Sequence, residues 1–202
     1  MTGLRERKKR ETRLALSRAT IGLIVERGWD EVAVEDIAAA ANVSERTFRN
    51  YFTSKAEAVA ASHLERALVV ADELRARPAA EPLWPAVFDA ARKSLSVAPS
   101  SPRDEGHLER VKLVLAHPSL HAELLRADDI AKDELAAAIA DRLGLDADRD
   151  LFPQLAASVA TAAIATAMRH WMVNDPSGSV IEVLERAFTE IGRGLPVPEG
   201  ES

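Results

Sequence analysis

The sequence contains no cysteine, which excludes disulfide bonds and thiolate metal sites. A reducing cytosol therefore suits the chain. No apolar run approaches the ~20 residues that a membrane-spanning helix needs. The N-terminal residues 1–16 are basic but lack the apolar stretch of a secretory signal. These absences predict a cytoplasmic protein that has no membrane partner.

The alternating pattern of β-strands is also absent. Alanine and leucine dominate, and apolar residues recur at helical spacing. Gly28 is expected to end the first helix, and Ser54 with Glu57 forms a capping box that opens the fourth. The fold class is therefore predicted as all-α with about nine helices. They are expected at about 7–27, 34–41, 45–52, 55–77, 83–97, 104–116, 119–143, 149–174 and 180–192.

Motifs of common enzymes are missing as well, including the P-loop, the dinucleotide fingerprint and the nucleophile elbow. His117 and His121 have the spacing of zinc ligands, with Glu123 nearby. Pro118 interrupts that segment, however, and no third ligand is evident. Helix-capping or solvent-facing histidines are the expected alternative. The chain is therefore predicted to be no enzyme and to hold no metal and no cofactor.

The formal net charge of −6 is unevenly distributed. Residues 1–55 contain 11 basic and 8 acidic residues, so the remainder holds 26 − 11 = 15 basic and 32 − 8 = 24 acidic residues. The first thirteen residues are the most basic part. A basic end on an acidic body predicts that only this end meets a polyanion. A solvated terminal charge run is the alternative.

Residues 34–52 predict two short helices joined by a tight turn. Asn42 tolerates the left-handed conformation that such a turn requires, and Ser44 is placed to cap the second helix. Phe48 and Phe52 lie four residues apart and therefore share its buried face. This pattern is typical of a helix-turn-helix, in which one helix face is anchored and the other enters a major groove about 12 Å wide.

The other face of the second helix carries groups that recognise DNA. Arg46, Arg49 and Asn50 stand at i, i+3 and i+4, so they point in one direction. Arginine grips guanine and asparagine grips adenine through paired hydrogen bonds, which predicts base reading. An ordinary hairpin with arginines in water is the alternative. Phosphate contacts are predicted for Thr47, Tyr51 and Lys55, and Ser44 completes the DNA-binding set.

Residues 7–55 resemble the N-terminal DNA-binding domain of TetR-family transcriptional regulators. The resemblance is carried by residues 26–59, ERGWDEVAVEDIAAAANVSERTFRNYFTSKAEAV. It implies an all-helical homodimer with three helices for DNA and about six for ligand and dimer contacts. Double-stranded DNA with a near-palindromic operator is the implied partner.

Three positions depart from the pattern of that family. Ala33 stands where a threonine usually caps the second helix and touches phosphate, so a nearby group is expected to compensate. Asn42 replaces the usual glycine. Arg49 replaces a common aromatic residue, and the operator sequence therefore does not follow by analogy.

The C-terminal half is similar to the C-terminal domain of mycofactocin-type regulators, on residues 113–145 and the sequence RHWM at 169–172. That resemblance implies a fatty acyl-CoA as ligand. Two prolines in residues 77–82 mark a boundary near residue 80. The predicted division is a DNA-binding domain with a basic arm (1–55), a connecting helix (56–79), a ligand-binding and dimerisation domain (80–194) and a disordered tail (195–202).

Apolar positions of the C-terminal half supply candidates for a pocket and for a dimer interface, and completion of the monomer core is the alternative for each of them. Arg92, Lys93 and Arg103 are candidates for meeting a phosphate at the pocket mouth. The pocket candidates are Trp84, Val87, Phe88, Leu108, Val111, Leu115, Leu124 and Met168. The interface candidates are Ala163, Ala167, Trp171, Val180, Leu184 and Phe188.

Two functions fit these observations. The first is a dimeric repressor that a small hydrophobic effector releases from its operator. The second is a DNA-binding dimer without an effector, whose C-terminal domain serves only assembly or a protein partner.

Overall fold

The structure, a computed structural model, describes residues 2–96 and 105–196. Nine α-helices and no strand occur in these two ranges, which confirms the predicted fold class. The helices are α1 Thr2–Arg27, α2 Val34–Ala40, α3 Glu45–Tyr51, α4 Lys55–Ala76, α5 Leu83–Ser96, α6 Glu105–Leu115, α7 Pro118–Leu143, α8 Leu151–Asn174 and α9 Val180–Gly192.

Local signals account for most helix ends. Gly28 ends α1 with φ +99°, a conformation that favours glycine, and its N–H donates to the Ile24 carbonyl at 2.9 Å. The Ser54 side chain accepts from the Glu57 N–H at 3.1 Å and opens α4. The Glu57 carboxylate reaches back one residue further than the predicted capping box, to the Thr53 N–H at 2.7 Å. The start of α1 differs from the prediction, since the helix extends back to Thr2 through good helix formers such as lysine and arginine.

The chain forms two compact units. The first comprises Met1–Glu65 and Pro102–Asp129, and the second comprises Arg66–Ser101 and Ile130–Ser202. The chain therefore passes between the units three times, within α4, between α5 and α6, and within α7. This division in space is not the predicted division along the chain. Most of the predicted tail, residues 197–202, lies outside the described residues.

Large side chains form the core of the first unit. Phe48 and Phe52 are almost fully buried, and their ring centroids lie 5.6 Å apart. Val114 of α6 and Leu120 of α7 belong to the same core, although they follow more than sixty residues later. The core residues are Leu16, Ile24, Val25, Val32, Ile37, Phe48, Phe52, Ala58, Val59, Ala60, Ala61, Val114 and Leu120.

Alanine dominates the core of the second unit, where α5 and α8 pack on α9. Small side chains let these helix backbones approach closely. The rings of Trp84 and Phe88 meet Phe188 of α9 edge-on, at centroid distances of 6.4 and 5.8 Å. The buried alanines are Ala71, Ala86, Ala90, Ala91, Ala136, Ala138, Ala156, Ala157, Ala160, Ala163 and Ala167.

The loop near residue 80 is held inside the second unit. Arg142 of α7 donates to the carbonyls of Pro78 and Glu81, both at 2.6 Å. Arg77 pairs with Glu81 at 2.6 Å and with Asp89 at 2.9 Å. These contacts explain why the proline-rich loop does not separate the two compact units.

Helix α8 corrects the expectation about apolar runs. By length and composition, Leu151–Asn174 is long and apolar enough to cross a membrane. Its hydropathy comes largely from alanine, and 33% of its most apolar window is buried inside the chain. Core helices pass the same test, and Ala156, Ala157 and Ala160 of α8 do belong to the core of the second unit.

Candidate nucleic-acid interface

The turn between α2 and α3 has the predicted conformation. Asn42 adopts φ +54°, in the left-handed region. The N–H of Asn42 donates to the Ala39 carbonyl at 3.0 Å, and the N–H of Val43 donates to the Ala38 carbonyl at 2.9 Å. The turn therefore ends α2 and redirects the chain into α3 within four residues.

Ser44 caps α3. Its Oγ accepts from the Thr47 N–H at 3.1 Å and lies 2.9 Å from the Thr47 Oγ1. Ser44 is exposed and Thr47 is half-buried. Their two hydroxyls form a small polar group at the start of α3. Both belong to the predicted DNA-binding set.

The two faces of α3 are sharply different. Phe48 is fully buried, whereas Arg46, Arg49 and Asn50 are exposed. The Arg49 side chain is 62% exposed, and its Nη2 lies 3.6 Å from the Glu45 Oε2. Among the described residues, none forms a hydrogen bond or ion pair with Arg46. The structure thus brings the three predicted base-reading residues to one solvent-facing side.

Glu45 was not among the predicted site residues. It precedes Arg49 by four positions, a spacing at which helical side chains meet. This spacing is visible in the sequence and could have identified Glu45 as a partner of Arg49. The Arg49 guanidinium therefore lies beside the Glu45 carboxylate on the exposed side of α3.

Asp36 supplies one half of a capping box at Ala33. Ala33 has no side-chain acceptor for the first turn of α2. The Asp36 carboxylate instead accepts from the Ala33 N–H at 2.9 Å, which is the backward half of a capping box. Asp36 also lies 3.8 Å from the Arg27 Nη1.

Lys55 at the start of α4 is bound to the loop after α1. Its ammonium donates to the Trp29 carbonyl and, at 3.2 Å, to the Val32 carbonyl. The same nitrogen lies 5.2 Å from the centre of the Trp29 ring. An ammonium has three N–H donors, so one donor remains for a further acceptor. Tyr51, the other predicted phosphate contact, is half-buried against the first core.

Two basic side chains of α1 form contacts within the first unit. Arg10 pairs with Glu65 of α4 at 2.7 Å. The Arg13 guanidinium lies over the Phe52 ring, 5.1 Å from its centre. Lys8 and Lys9 are exposed, and no described acidic group pairs with them. These two lysines extend the positive surface of the first unit.

The predicted pocket residues divide between the two cores. Val87 is fully buried in the second core, and Trp84 and Phe88 pack against it. Val111 and Leu124 pack against the first core instead. Three residues remain outside both groups: Leu115 is 38% exposed, Met168 is half-buried, and the side chain of Leu108 lies outside the described part.

Two of the three cations predicted to bind phosphate in the C-terminal half already pair with acidic residues of the same chain. Arg92 pairs with Asp89 at 3.1 Å, and Lys93 pairs with Glu73 at 2.7 Å. Arg103 lies outside the described residues.

Four of the six predicted interface residues are buried within the chain itself. Ala163, Ala167, Leu184 and Phe188 belong to the core of the second unit. We therefore revise the predicted set, because residues that their own chain covers offer no surface to a partner. Trp171 and Val180 are half-buried, and the exposed apolar residues of α8 are Leu151, Phe152, Leu155, Ala162, Ala165 and Val173.

Comparison with known protein families gives two matches along the chain. Residues 16–61 match the family of bacterial regulatory proteins called tetR. Residues 81–196 match the MftR C-terminal domain. Together they cover the helix-turn-helix and α5–α9.

Two curated proteins are similar over nearly the whole chain. The HTH-type transcriptional regulator TcmR of Streptomyces glaucescens is 34% identical over 192 residues, 92% of this chain and 83% of TcmR. MftR of Mycobacterium tuberculosis, which carries the name of a mycofactocin biosynthesis transcriptional regulator, is 28% identical over 195 residues, 94% of this chain and 93% of MftR.

The fold is also that of solved regulators. The structure of Thermus thermophilus FadR, a TetR-family transcriptional repressor solved with lauroyl-CoA, aligns with a TM-score of 0.56 at 20% identity. The alignment covers 94% of this chain and 98% of FadR. The chain thus belongs to the TetR family of bacterial regulatory proteins, as a transcriptional regulator that binds DNA through its helix-turn-helix and has an MftR-type C-terminal domain.

Proposed function

We propose that the chain acts in the cytoplasm as a homodimeric repressor, which an apolar effector releases from a near-palindromic operator. The exposed face of α3 carries this proposal. Arg46, Arg49 and Asn50 face solvent while Phe48 anchors the opposite side. A buried anchor fixes the direction of the exposed groups, which base reading requires.

The residues of the first unit divide by role. Arg46, Arg49 and Asn50 read base edges, because their side chains offer paired hydrogen bonds to guanine or adenine. Thr47, Tyr51 and the remaining donor of Lys55 hold phosphates and set the register. Ser44 orders the start of α3.

Two substitutions separate these roles. Arg46→Ala is expected to cost about 1–3 kcal/mol on the operator and little on random DNA. Lys55→Ala is expected to weaken both alike and to reduce the magnitude of the salt slope by about one per subunit. Binding is measured by fluorescence anisotropy on both duplexes. Equal losses for both variants on both duplexes would contradict the assignment.

The dimer interface is proposed on the exposed apolar face of α8. Phe152, Leu155 and Val173 are 46%, 53% and 62% exposed, and the exposed Ala162 and Ala165 lie between Leu155 and Val173. An apolar face of this length favours burial against a second copy. A pair of α8 and α9 helices from each copy would form a four-helix interface. The two recognition helices would then lie ~34–36 Å apart, in successive major grooves.

Leu155→Glu tests this interface, since it places a charge on the apolar face. We expect a monomer in sedimentation velocity and a loss of operator affinity. Leu113→Glu is the matched control, because Leu113 is also exposed, at 72%, but lies on α6. A Leu155→Glu protein that sediments like the wild type would remove this interface from the proposal.

An acyl-CoA is the proposed effector class. The C-terminal family is that of MftR, and the structurally similar FadR was solved with lauroyl-CoA. Arg66 of α4 adds a physical argument. Burial lowers the pKa of its guanidinium, and no described acidic side chain pairs with it. A phosphate or carboxylate would neutralise this desolvated cation.

Thermal unfolding with lauroyl-CoA, lauric acid and free CoA tests the effector. Ligand at 100 times its Kd is expected to add about 2.7 kcal/mol of stability. Release of operator DNA by the same ligand would support the regulatory role. An unchanged unfolding transition with all three would favour the second candidate, a DNA-binding dimer without an effector.

Selection of bound duplexes from a random pool tests the central claim. We expect enrichment of inverted repeats whose half-sites lie one helical turn apart. Enrichment of a single asymmetric half-site would argue against the symmetric dimer, and absence of any enrichment would argue against base reading by α3.

A further inference from the structure

Trp29, in the loop after α1, is stacked on a residue from a distant part of the sequence. Its ring centre lies 4.2 Å from that of His117, with 18° between the ring planes. His117 lies between the end of α6 and the start of α7, in the first unit. By sequence it belongs to the MftR-type C-terminal domain, yet in space it packs beside the helix-turn-helix.

The His117 ring is fixed by the start of α7. Its Nδ1 accepts from the Ser119 N–H at 3.3 Å. The His117 carbonyl accepts from the N–H groups of Leu120 and His121 at 3.0 and 3.1 Å. The imidazole therefore presents a flat, oriented face to Trp29.

Trp29 in turn holds Lys55. The Trp29 carbonyl accepts from the Lys55 ammonium, which also lies 5.2 Å from the Trp29 ring centre. The Val32 carbonyl accepts from the same ammonium at 3.2 Å. Two hydrogen bonds and one ring contact from this loop thus fix the end of a side chain that is otherwise long and flexible.

We propose that His117 is a positioning residue for DNA binding. Its ring fixes the Trp29 loop, and this loop holds the Lys55 ammonium in place to donate its third N–H to a DNA phosphate. The inference rests on the proposed phosphate contact of Lys55. An ammonium that is ordered before DNA arrives loses less rotamer entropy on binding, so loss of the stack weakens that contact.

A double-mutant cycle on random-sequence DNA tests this role. Affinity is measured from 50 to 200 mM salt for the wild-type chain, Lys55→Ala, His117→Ala and the double variant. Lys55→Ala is expected to lower the magnitude of the salt slope by about one per subunit. His117→Ala is expected to lower it in the same direction. The double variant should match Lys55→Ala, because both substitutions remove the same contact.

Two further variants separate positioning from general stability. His117→Phe keeps a flat ring and is expected to restore the wild-type slope. His63→Ala removes another histidine contact between α4 and α7, His63 Nε2 to Asp128 Oδ1 at 2.6 Å, without touching Trp29. It is expected to leave the slope unchanged. Should His117→Ala fail to fold, His117→Leu replaces it, since leucine keeps bulk but has no flat face.

The outcomes distinguish the inference from the function on which it rests. If Lys55→Ala lowers the slope but His117→Ala and His117→Leu do not, the positioning role is overturned and the phosphate contact stands. Additive losses in the double variant overturn it as well. If Lys55→Ala leaves the slope unchanged, the phosphate contact itself is wrong and the inference falls with it.

Discussion

The first unit buries large aromatic and branched side chains, whereas the second buries mostly alanine. Phe48, Phe52 and Ile37 each fill a large volume between the short helices of the DNA-binding region. In the second unit, Ala156, Ala157 and Ala160 let α8 lie close to its neighbours. The two cores are therefore sensitive to opposite changes. The first is weakened by removing volume and the second by adding it.

Phe48→Ala is expected to have the largest effect. Removal of this fully buried ring leaves a cavity beneath α3 and should lower the free energy of unfolding by about 3–5 kcal/mol. Operator binding should fall with it, because α3 loses its anchor. Chemical denaturation and anisotropy measure both quantities. Phe48→Leu is the control and should cost less on each, and equal losses would argue against a volume-limited core.

Ala160→Leu tests the opposite sensitivity in the second unit. Ala160 is fully buried in α8, and the added carbons are expected to lower the free energy of unfolding by about 1–3 kcal/mol. Ala76→Leu at the exposed end of α4 is the matched control, with little expected change. If Ala160→Leu leaves the free energy of unfolding unchanged, the alanine core has room for a larger side chain. The proposed difference between the two cores would then be wrong.

The helix caps of the two units can also be compared, with a smaller expected effect on stability. Ser44 caps α3 in the first unit, and Ser179 caps α9 in the second by accepting from the Glu182 N–H at 3.4 Å. Each serine-to-alanine change is expected to cost about 1 kcal/mol of stability. Only Ser44→Ala should also weaken operator binding, because α3 carries the proposed base-reading residues. A similar loss of affinity in Ser179→Ala would contradict this division of roles.

The smallest expected effect is a pH dependence in the second unit. A hydrogen bond from Arg77, helped by the charges of Arg77 and Arg142, holds the pKa of Glu81 below its ordinary value. The unfolded chain then binds the proton more tightly than the folded chain. The pair therefore stabilises the fold above the unfolded pKa, and this stabilisation is lost as the pH falls through the folded pKa.

Glu81→Gln should consequently lower the Tm at pH 7, and its difference from the wild type should vanish in acid. Differential scanning calorimetry from pH 7 down through the folded pKa of Glu81 measures the difference in Tm between the variant and the wild type. Glu190→Gln, in an exposed pair with Arg193, is the control and should change the Tm little at any pH. A difference for Glu81→Gln that persists in acid would show that the carboxylate charge is not its cause.

The sequence predicted helix positions well because their signals are local. Gly28, Ser44 and Ser54 mark helix ends by their own chemistry, and the spacing of Phe48 and Arg46 assigns them to different faces of α3. The compensation at Ala33 was expected but not assigned. Asp36, which accepts from the Ala33 N–H, lies only three residues away.

Contacts between segments that are distant in the sequence could not be predicted from such local signals. Lys55 was expected to meet phosphate, but nothing in its neighbourhood indicates that two carbonyls, 26 and 23 residues earlier, accept from its ammonium. The stack of Trp29 on His117 joins segments that no periodicity relates. Helical spacing likewise identified apolar stripes on α8 and α9, but not whether their own chain or a partner covers them.

The sequence by itself determined the helices, the exposed polar face of α3 and the family, because each of these depends on residues a few positions apart. Only the tertiary structure decided that Leu184 and Phe188 are core residues, and that α6 and the start of α7 pack with the DNA-binding helices. The physical reason is that an apolar stripe requires burial without specifying what covers it. The covering surface is selected by the packing of the whole chain.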